Sequence, residues 1–234
     1  MRAGSWSNAQ MLDRAWLASP FQLTREPWWR RRRRNILVNS FVAEPTLVRP
    51  PEAHRGRMLH QLVESVERAR DSIVNAVKDL RPDQATFKSS PDAWSITENV
   101  EHLYLAEVSG VTKIWAAADQ VHAGVRWTDA RPNHGQSIED VVERTWKSKE
   151  IAPPIATPHI GGPLGVWVSC LQSLRPVLSD LAKQLETLDL EAIVYPHYLS
   201  GPLDGRQRLE FLRYHMERHL AQIQRVKAHP QFPA

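Results

Sequence analysis

Residues 211–226 read FLRYHMERHLAQIQRV. Read as a helix, the stretch puts His215 and His219 on one face, one turn apart. Leu212, Gln222 and Val226 share that face, while Arg213, Glu217, Arg218 and Gln224 lie elsewhere. Two histidines so placed on a core-facing helix are either two ligands of one metal or two buried histidines bonded to other groups. A third ligand would separate these readings, and His102 in SITENVEHLYLAE is the candidate.

Three further stretches carry the same helical period. The first runs over 52–80, where Met58, Leu62, Val66, Ala69, Ile73 and Val77 recur at threes and fours. Glu64, Glu67, Arg68 and Arg70 are read as its wet face, and Pro82 ends it because helix is disfavoured at the preceding Arg81. The second runs over 96–118. Ser95 and Glu98 form a capping box in which each side chain bonds the other's backbone amide. Its apolar row is Ile96, Val100, Leu103 and Ile114. A second row, with Glu98, His102, Leu105, Ser109 and Thr112, is more polar and includes small side chains. The third runs over 166–188 with Leu171, Leu174, Leu178, Leu181 and Leu185 as its stripe. Pro176 lies inside it, and a kink there is expected rather than a restart. With no credible strand pairing, four such helices make an all-α four-helix bundle.

The connections are irregular. A short helix is expected from Ser137 through IEDVVERTWKSKE, with acidic residues in its first turn where the helix dipole favours them. The four prolines and three glycines of IAPPIATPHIGGPLG exclude regular structure there. Residues 121–164 thus form a long crossover between helices two and three. The stretch EAIVYPHYLSGPLDG at 191–205 is read as a loop against the mouth of the bundle. His122, His134 and His159 lie in the crossover as solvated histidines or as a fourth ligand.

Composition excludes several classes. Hydrophobic residues are 42% and charged residues 24% of the 234-residue chain, as in soluble globular proteins. No apolar run approaches a membrane span, and no conventional signal peptide is visible. A single cysteine, Cys170, rules out an internal disulfide, so a reducing cytoplasm is expected. Cys170 sits among Val166, Trp167, Val168 and Leu171 and is read as a small buried hydrophobe. Residues 1–50 hold nine arginines, five of them at 30–34, against three acidic residues. The remainder holds 21 basic and 23 acidic residues, so the overall +4 belongs to the arm. The folded part makes no strong case for nucleic acid. Residues 1–50 are expected to be a poorly ordered basic extension, and 51–234 the bundle.

Two motifs carry a family resemblance. WSITENVEHL at 94–103 resembles the second-helix signature of DinB/YfiT-like proteins. PHYLSGPL at 196–203, followed by FLRYHMERHLAQI at 211–223, resembles that family's C-terminal signature. The resemblance covers roughly 52–229 and implies a bundle of up-down-down-up order. It also implies a divalent metal held by His102, His215 and His219. Some members are thiol-dependent transferases or isomerases, so a low-molecular-weight thiol co-substrate and a small-molecule substrate are implied. A homodimer is implied too, for which Val108, Val111 and Trp115 offer a candidate face.

Three imidazoles suit zinc, nickel or iron(II). Three protein ligands leave a position open, the catalytic pattern. Metal activation of a thiolate or water would follow, and hydrolysis or a non-catalytic metal brace are the alternatives. Glu101 and Gln222 are candidates to steer a ligand ring or face the substrate, a solvated carboxylate being the alternative for Glu101. No residue is assigned as the catalytic acid or base, and no organic cofactor site is read. Metal binding is expected to weaken as pH falls through roughly 6.5, where free imidazole protonates.

Overall fold

The computed structural model describes residues 52–147 and 150–234, so the expectations for the basic arm and its proline linker lie outside the described residues. Helix α1 spans Glu52–Val77. Leu59, Val66, Ala69, Ile73 and Val77 are buried on it. Arg70 is not on the wet face: it is fully buried, because the row Val66–Ile73–Val77 passes through its position. Its guanidinium pairs with the buried Glu107 carboxylate across the bundle. Pro82, read from the sequence as ending the first helix, also opens a five-residue helix α2, Pro82–Thr86. A first-turn proline loses nothing by lacking an N–H.

Helix α3 spans Ile96–His122, one turn longer than its apolar row indicated. Its start is the expected capping box: Glu98 N–H donates to Ser95 Oγ (3.2 Å) and Ser95 N–H to Glu98 Oε2 (2.7 Å). Val111 is buried on it and Trp115 packs against the same core. The expected dimer face is therefore largely interior, with Val108 alone of the three exposed.

The third long helix is two helices, α5 (Leu164–Gln172) and α6 (Leu174–Leu185), meeting at Ser173. The expected kink at Pro176 is thus a restart. The ring of Pro176 clashes with the carbonyl four residues back, and a break at Ser173 puts Pro176 in a first turn, where no N–H is needed. The leucine stripe survives the break, with Leu171, Leu174, Leu178, Leu181 and Leu185 all buried.

Contacts along α3 fix the bundle's directions. Glu101, Tyr104 and Asp119 meet Gly161, Trp167 and Gln184 in the same order, so α3 runs parallel to α5 and α6. Parallel neighbours need a connection that returns along the bundle, which accounts for the long crossover. That crossover carries α4, Ile138–Thr145, capped by Ser137 and ending before the expected Glu150. The final helix α7, Gly205–Lys227, begins at the Asp204 cap. It runs antiparallel to α3. Asn99 meets His219, His102 meets His215, and a Cβ on Gly110 would come within 2.9 Å of Leu212. The helix order is up-down-down-up.

The expected loop before α7 contains a hairpin, β1 (Tyr195–His197) against β2 (Gly201–Leu203). Pro196 sits opposite Pro202, so the missing N–H groups share one rung. Gly201, at φ 73°, takes the left-handed turn conformation. Leu203 joins Ile138, Val141 and Val142 in a small second core, with Trp146, Phe211 and Tyr214 packed on it. This cluster fixes α4 and the hairpin over the N-terminal half of α7. No described helix is long and apolar enough to cross a membrane.

Candidate metal centre

The bundle brings His102 of α3 together with His215 and His219 of α7. One nitrogen from each ring lies within 4.8 Å of the others. The Nε2 atoms of His102 and His215 are 3.1 Å apart. His102 and His219 are buried, whereas His215 is half-buried and marks the accessible side.

The outer nitrogens decide the tautomers. His102 Nδ1 lies 2.7 Å from the Ala156 carbonyl, which can only accept, so Nδ1 carries the proton. His219 Nδ1 lies 2.9 Å from Asn99 Oδ1. The Asn99 amide nitrogen donates to Ser95 O (2.9 Å), which fixes its oxygen toward the ring. Both Nε2 lone pairs are thereby turned inward. A carbonyl behind each ligating imidazole is the usual outer support of a metal ligand.

All three rings are held neutral. Desolvation lowers the pKa of His102. Desolvation, then the neighbouring His219 and His102, pushes His215 well below its ordinary value. Desolvation, then His102 and Arg218, does the same for His219. Neutral imidazole is the form that ligates a metal, so the donor set fits a divalent cation.

Aromatic rings wall the triad. Trp94 packs on His102 at 4.8 Å and lies nearly parallel to His219 at 6.2 Å. Phe211 stacks on His215 at 5.6 Å and touches His197 of the hairpin at 4.8 Å.

Glu101 is not solvated, and among the described residues no hydrogen bond joins it to a triad ring. It is buried, and its carboxylate accepts the backbone N–H groups of His159 (2.7 Å), Ile160 (2.7 Å) and Gly161 (3.1 Å). It therefore pins the loop that carries the Ala156 carbonyl, and acts on His102 through that loop. Gln222 is half-buried in a surface groove with Tyr214, Glu217, Arg218, Ala221 and Arg225. No triad ring bonds to it among the described residues. His122, His134 and His159 are exposed and stand outside the triad. The cysteine is half-buried against the main core.

Sequence reasoning missed Asn99, Trp94, Phe211 and the Ala156 carbonyl. Asn99 was visible in principle, being one turn before His102 on the same face. A backbone carbonyl contributed by a proline-rich loop leaves no side-chain signal.

No curated protein gives a significant match to the chain. Among the solved structures that match is one at 14% identity with a TM-score of 0.48, covering 73% of this chain and 86% of that one. It is described as "YfiT from Bacillus subtilis is a probable metal-dependent hydrolase with an unusual four-helix bundle topology". The sequence profile of the DinB superfamily matches residues 65–223, from α1 through His219 and into the last turns of α7. That match takes in well over half of the chain and every residue of the triad, and the protein belongs to the DinB superfamily.

Proposed function

We propose that the protein is a divalent-metal-dependent enzyme whose metal is held by His102, His215 and His219, and that its chemistry is transfer to, or isomerisation with, a low-molecular-weight thiol. One observation carries the reading: two neutral imidazoles have their Nδ1 protons committed to carbonyl oxygens, and their lone pairs converge with the third at a half-exposed position. Zinc, nickel and iron(II) all suit such a donor set. The bound cation would supply a Lewis acid that lowers the pKa of a thiol or a water.

The choice of thiol over water rests on the surroundings. A hydrolase also wants a general base, and no carboxylate is hydrogen-bonded to the triad among the described residues. Both oxygens of Glu101 are occupied by the crossover loop. A thiol ionised by the cation needs no separate base. The aromatic walls of Trp94 and Phe211 suit a small, partly apolar substrate. A cytoplasmic setting and a homodimer belong to the same proposal, and light scattering of the purified protein tests the dimer.

The deciding experiment is metal content after dialysis at neutral pH, for the wild type and for His102→Ala, His215→Ala and His219→Ala. Near-stoichiometric zinc, nickel or iron(II) is expected in the wild type, with loss in each variant. Retention by all three variants, or no metal in the wild type, would sink the site. The loaded protein is then offered a panel of small thiols with electrophiles. Turnover only with a thiol supports transfer, and turnover of esters or amides without one assigns hydrolysis instead.

A further inference from the structure

Among the described residues Arg208 is a buried cation without an anion. It is 6% exposed, on α7 two turns before His215. The other well-buried or bridging arginines meet carboxylates: Arg70 meets Glu107, Arg206 meets Glu210, and Arg213 meets Glu217. Among the described residues no Asp or Glu pairs with Arg208. Its Nη2 donates to the Tyr195 carbonyl (2.8 Å), and its guanidinium lies 3.7 Å above the Tyr195 ring. Its Nε–H is buried with no hydrogen-bond partner among the described residues. An unpaired buried charge is costly, and a ring face offsets only part of that cost.

The neighbours add positive charge. Lys113 of α3 faces Arg208, extending the antiparallel register of Asn99–His219, His102–His215 and Gly110–Leu212. Lys113 has its pKa lowered by desolvation and then by Arg208. Desolvation depresses Arg208 itself to about 10. His197 feels both cations, and its ring touches Phe211, which stacks on His215 of the triad. Its Nδ1 accepts the N–H groups of Leu199 (3.3 Å) and Ser200 (3.2 Å), so its proton sits on Nε2 as a donor. Desolvation, then Arg208 and Lys113, drives His197 down to about 3, and it therefore stays a neutral donor.

We propose that Arg208, with Lys113 and the Nε2–H of His197, forms an anion subsite beside the histidine triad that takes a carboxylate of the substrate. The Nε–H of Arg208 supplies the donor, and among the described residues no Asp or Glu pairs with its guanidinium. Two helical turns separate Arg208 from His215, roughly 10 Å along the axis. A small carboxylic acid of that reach would set its carboxylate at Arg208 and its reacting end at the triad, lying over Phe211. The inference deepens the proposed function by naming the charge of its substrate.

The test uses metal-free full-length protein and the ¹⁵N resonance of the Arg208 Nε–H, assigned by its absence in Arg208→Lys. Titration with benzoate is expected to shift that resonance saturably, while benzamide, its neutral counterpart, leaves it in place. Lys113→Met should weaken benzoate binding roughly tenfold, the weight of one charge-assisted contact. A resonance that stays fixed at saturating benzoate in a folded protein would overturn the proposal and leave Arg208 as a brace for the hairpin. An equal shift with benzamide would also overturn it. A shift with inorganic phosphate but none with benzoate would overturn the carboxylate assignment. Metal content is read on separate samples. Benzoate binding without metal retention removes the metal reading alone, and metal retention without benzoate binding removes this one alone.

Discussion

At the scale of single residues, the site depends on what stands behind the imidazoles. Asn99 gives His219 its tautomer through one 2.9 Å bond. Asn99→Ala is therefore expected to weaken metal retention by about 10- to 100-fold, the usual effect of losing such a support. Asn99→Asp, which keeps an acceptor oxygen, should retain more metal than Asn99→Ala. Competition with a chelator measures both, and equal retention by Asn99→Ala and the wild type would show that the bond is idle. The same burial sets a pH dependence. The triad rings have folded-state pKa values below the ordinary one near 6.5, so the unfolded chain takes up protons that the folded chain refuses. Stability of the metal-free protein is then fully present above about pH 6.5 and falls as pH drops below it, by up to about 1.4 kcal/mol per pH unit for each ring. Melting temperatures between neutral and mildly acid pH check this, and His215→Ala should flatten the slope. Metal binding by the folded protein should persist to lower pH than free imidazole indicates, because the rings are already neutral there. The sequence placed these histidines on the right faces but could not give their desolvation, which arises from helices and loops packed around them.

Among the elements, the long helices were legible and the joints were not. The apolar rows over α1, α3, α6 and α7 and the capping box at Ser95 are local patterns, and local patterns survive into the structure. The hairpin at 195–203 was invisible because its strands are three residues long and carry Pro196 and Pro202, which argue against a ladder until they are seen to face each other. The break at Ser173 follows from where Pro176 falls in the turn, a choice the leucine stripe does not express. Glu101 shows the largest gap between pattern and structure. Its neighbour His102 points to the triad, while Glu101 itself holds three backbone amides of a loop some sixty positions later in the chain. Glu101→Gln keeps the shape but turns an amide donor toward one of those N–H groups. A loss of about 1–3 kcal/mol is expected from the unsatisfied pair. Metal retention should fall together with the melting temperature, since the loosened loop carries the Ala156 carbonyl bonded to His102. Loss of stability with unchanged metal content would show that the loop's position does not matter to the triad.

For the molecule as a whole, one buried charge pair ties together helices that the apolar rows alone would leave free to slide. Arg70 of α1 reaches the 2%-exposed Glu107 of α3, and Glu67 and Asp71 of α1 meet Arg175 of α6. Leucine and valine rows tolerate shifts of register, whereas the buried guanidinium must meet two carboxylates, Glu107 across the bundle and Glu67 one turn away on its own helix. The sequence could not reveal this, because an arginine beside charged neighbours reads as solvated surface, and its partner lies 37 positions away. Arg70→Met strands the Glu107 carboxylate in the core and should cost about 3–5 kcal/mol, whereas Glu107→Leu leaves Arg70 its Glu67 partner and should cost less. Removing both leaves apolar side chains in an apolar setting, and the double variant should recover most of that loss. Urea unfolding of the four proteins measures the coupling. If the pair sets register, the double variant regains stability yet retains metal less well than the wild type, because His102 and His215 must meet across α3 and α7. A double variant with full stability and full metal retention would show that packing alone aligns the bundle.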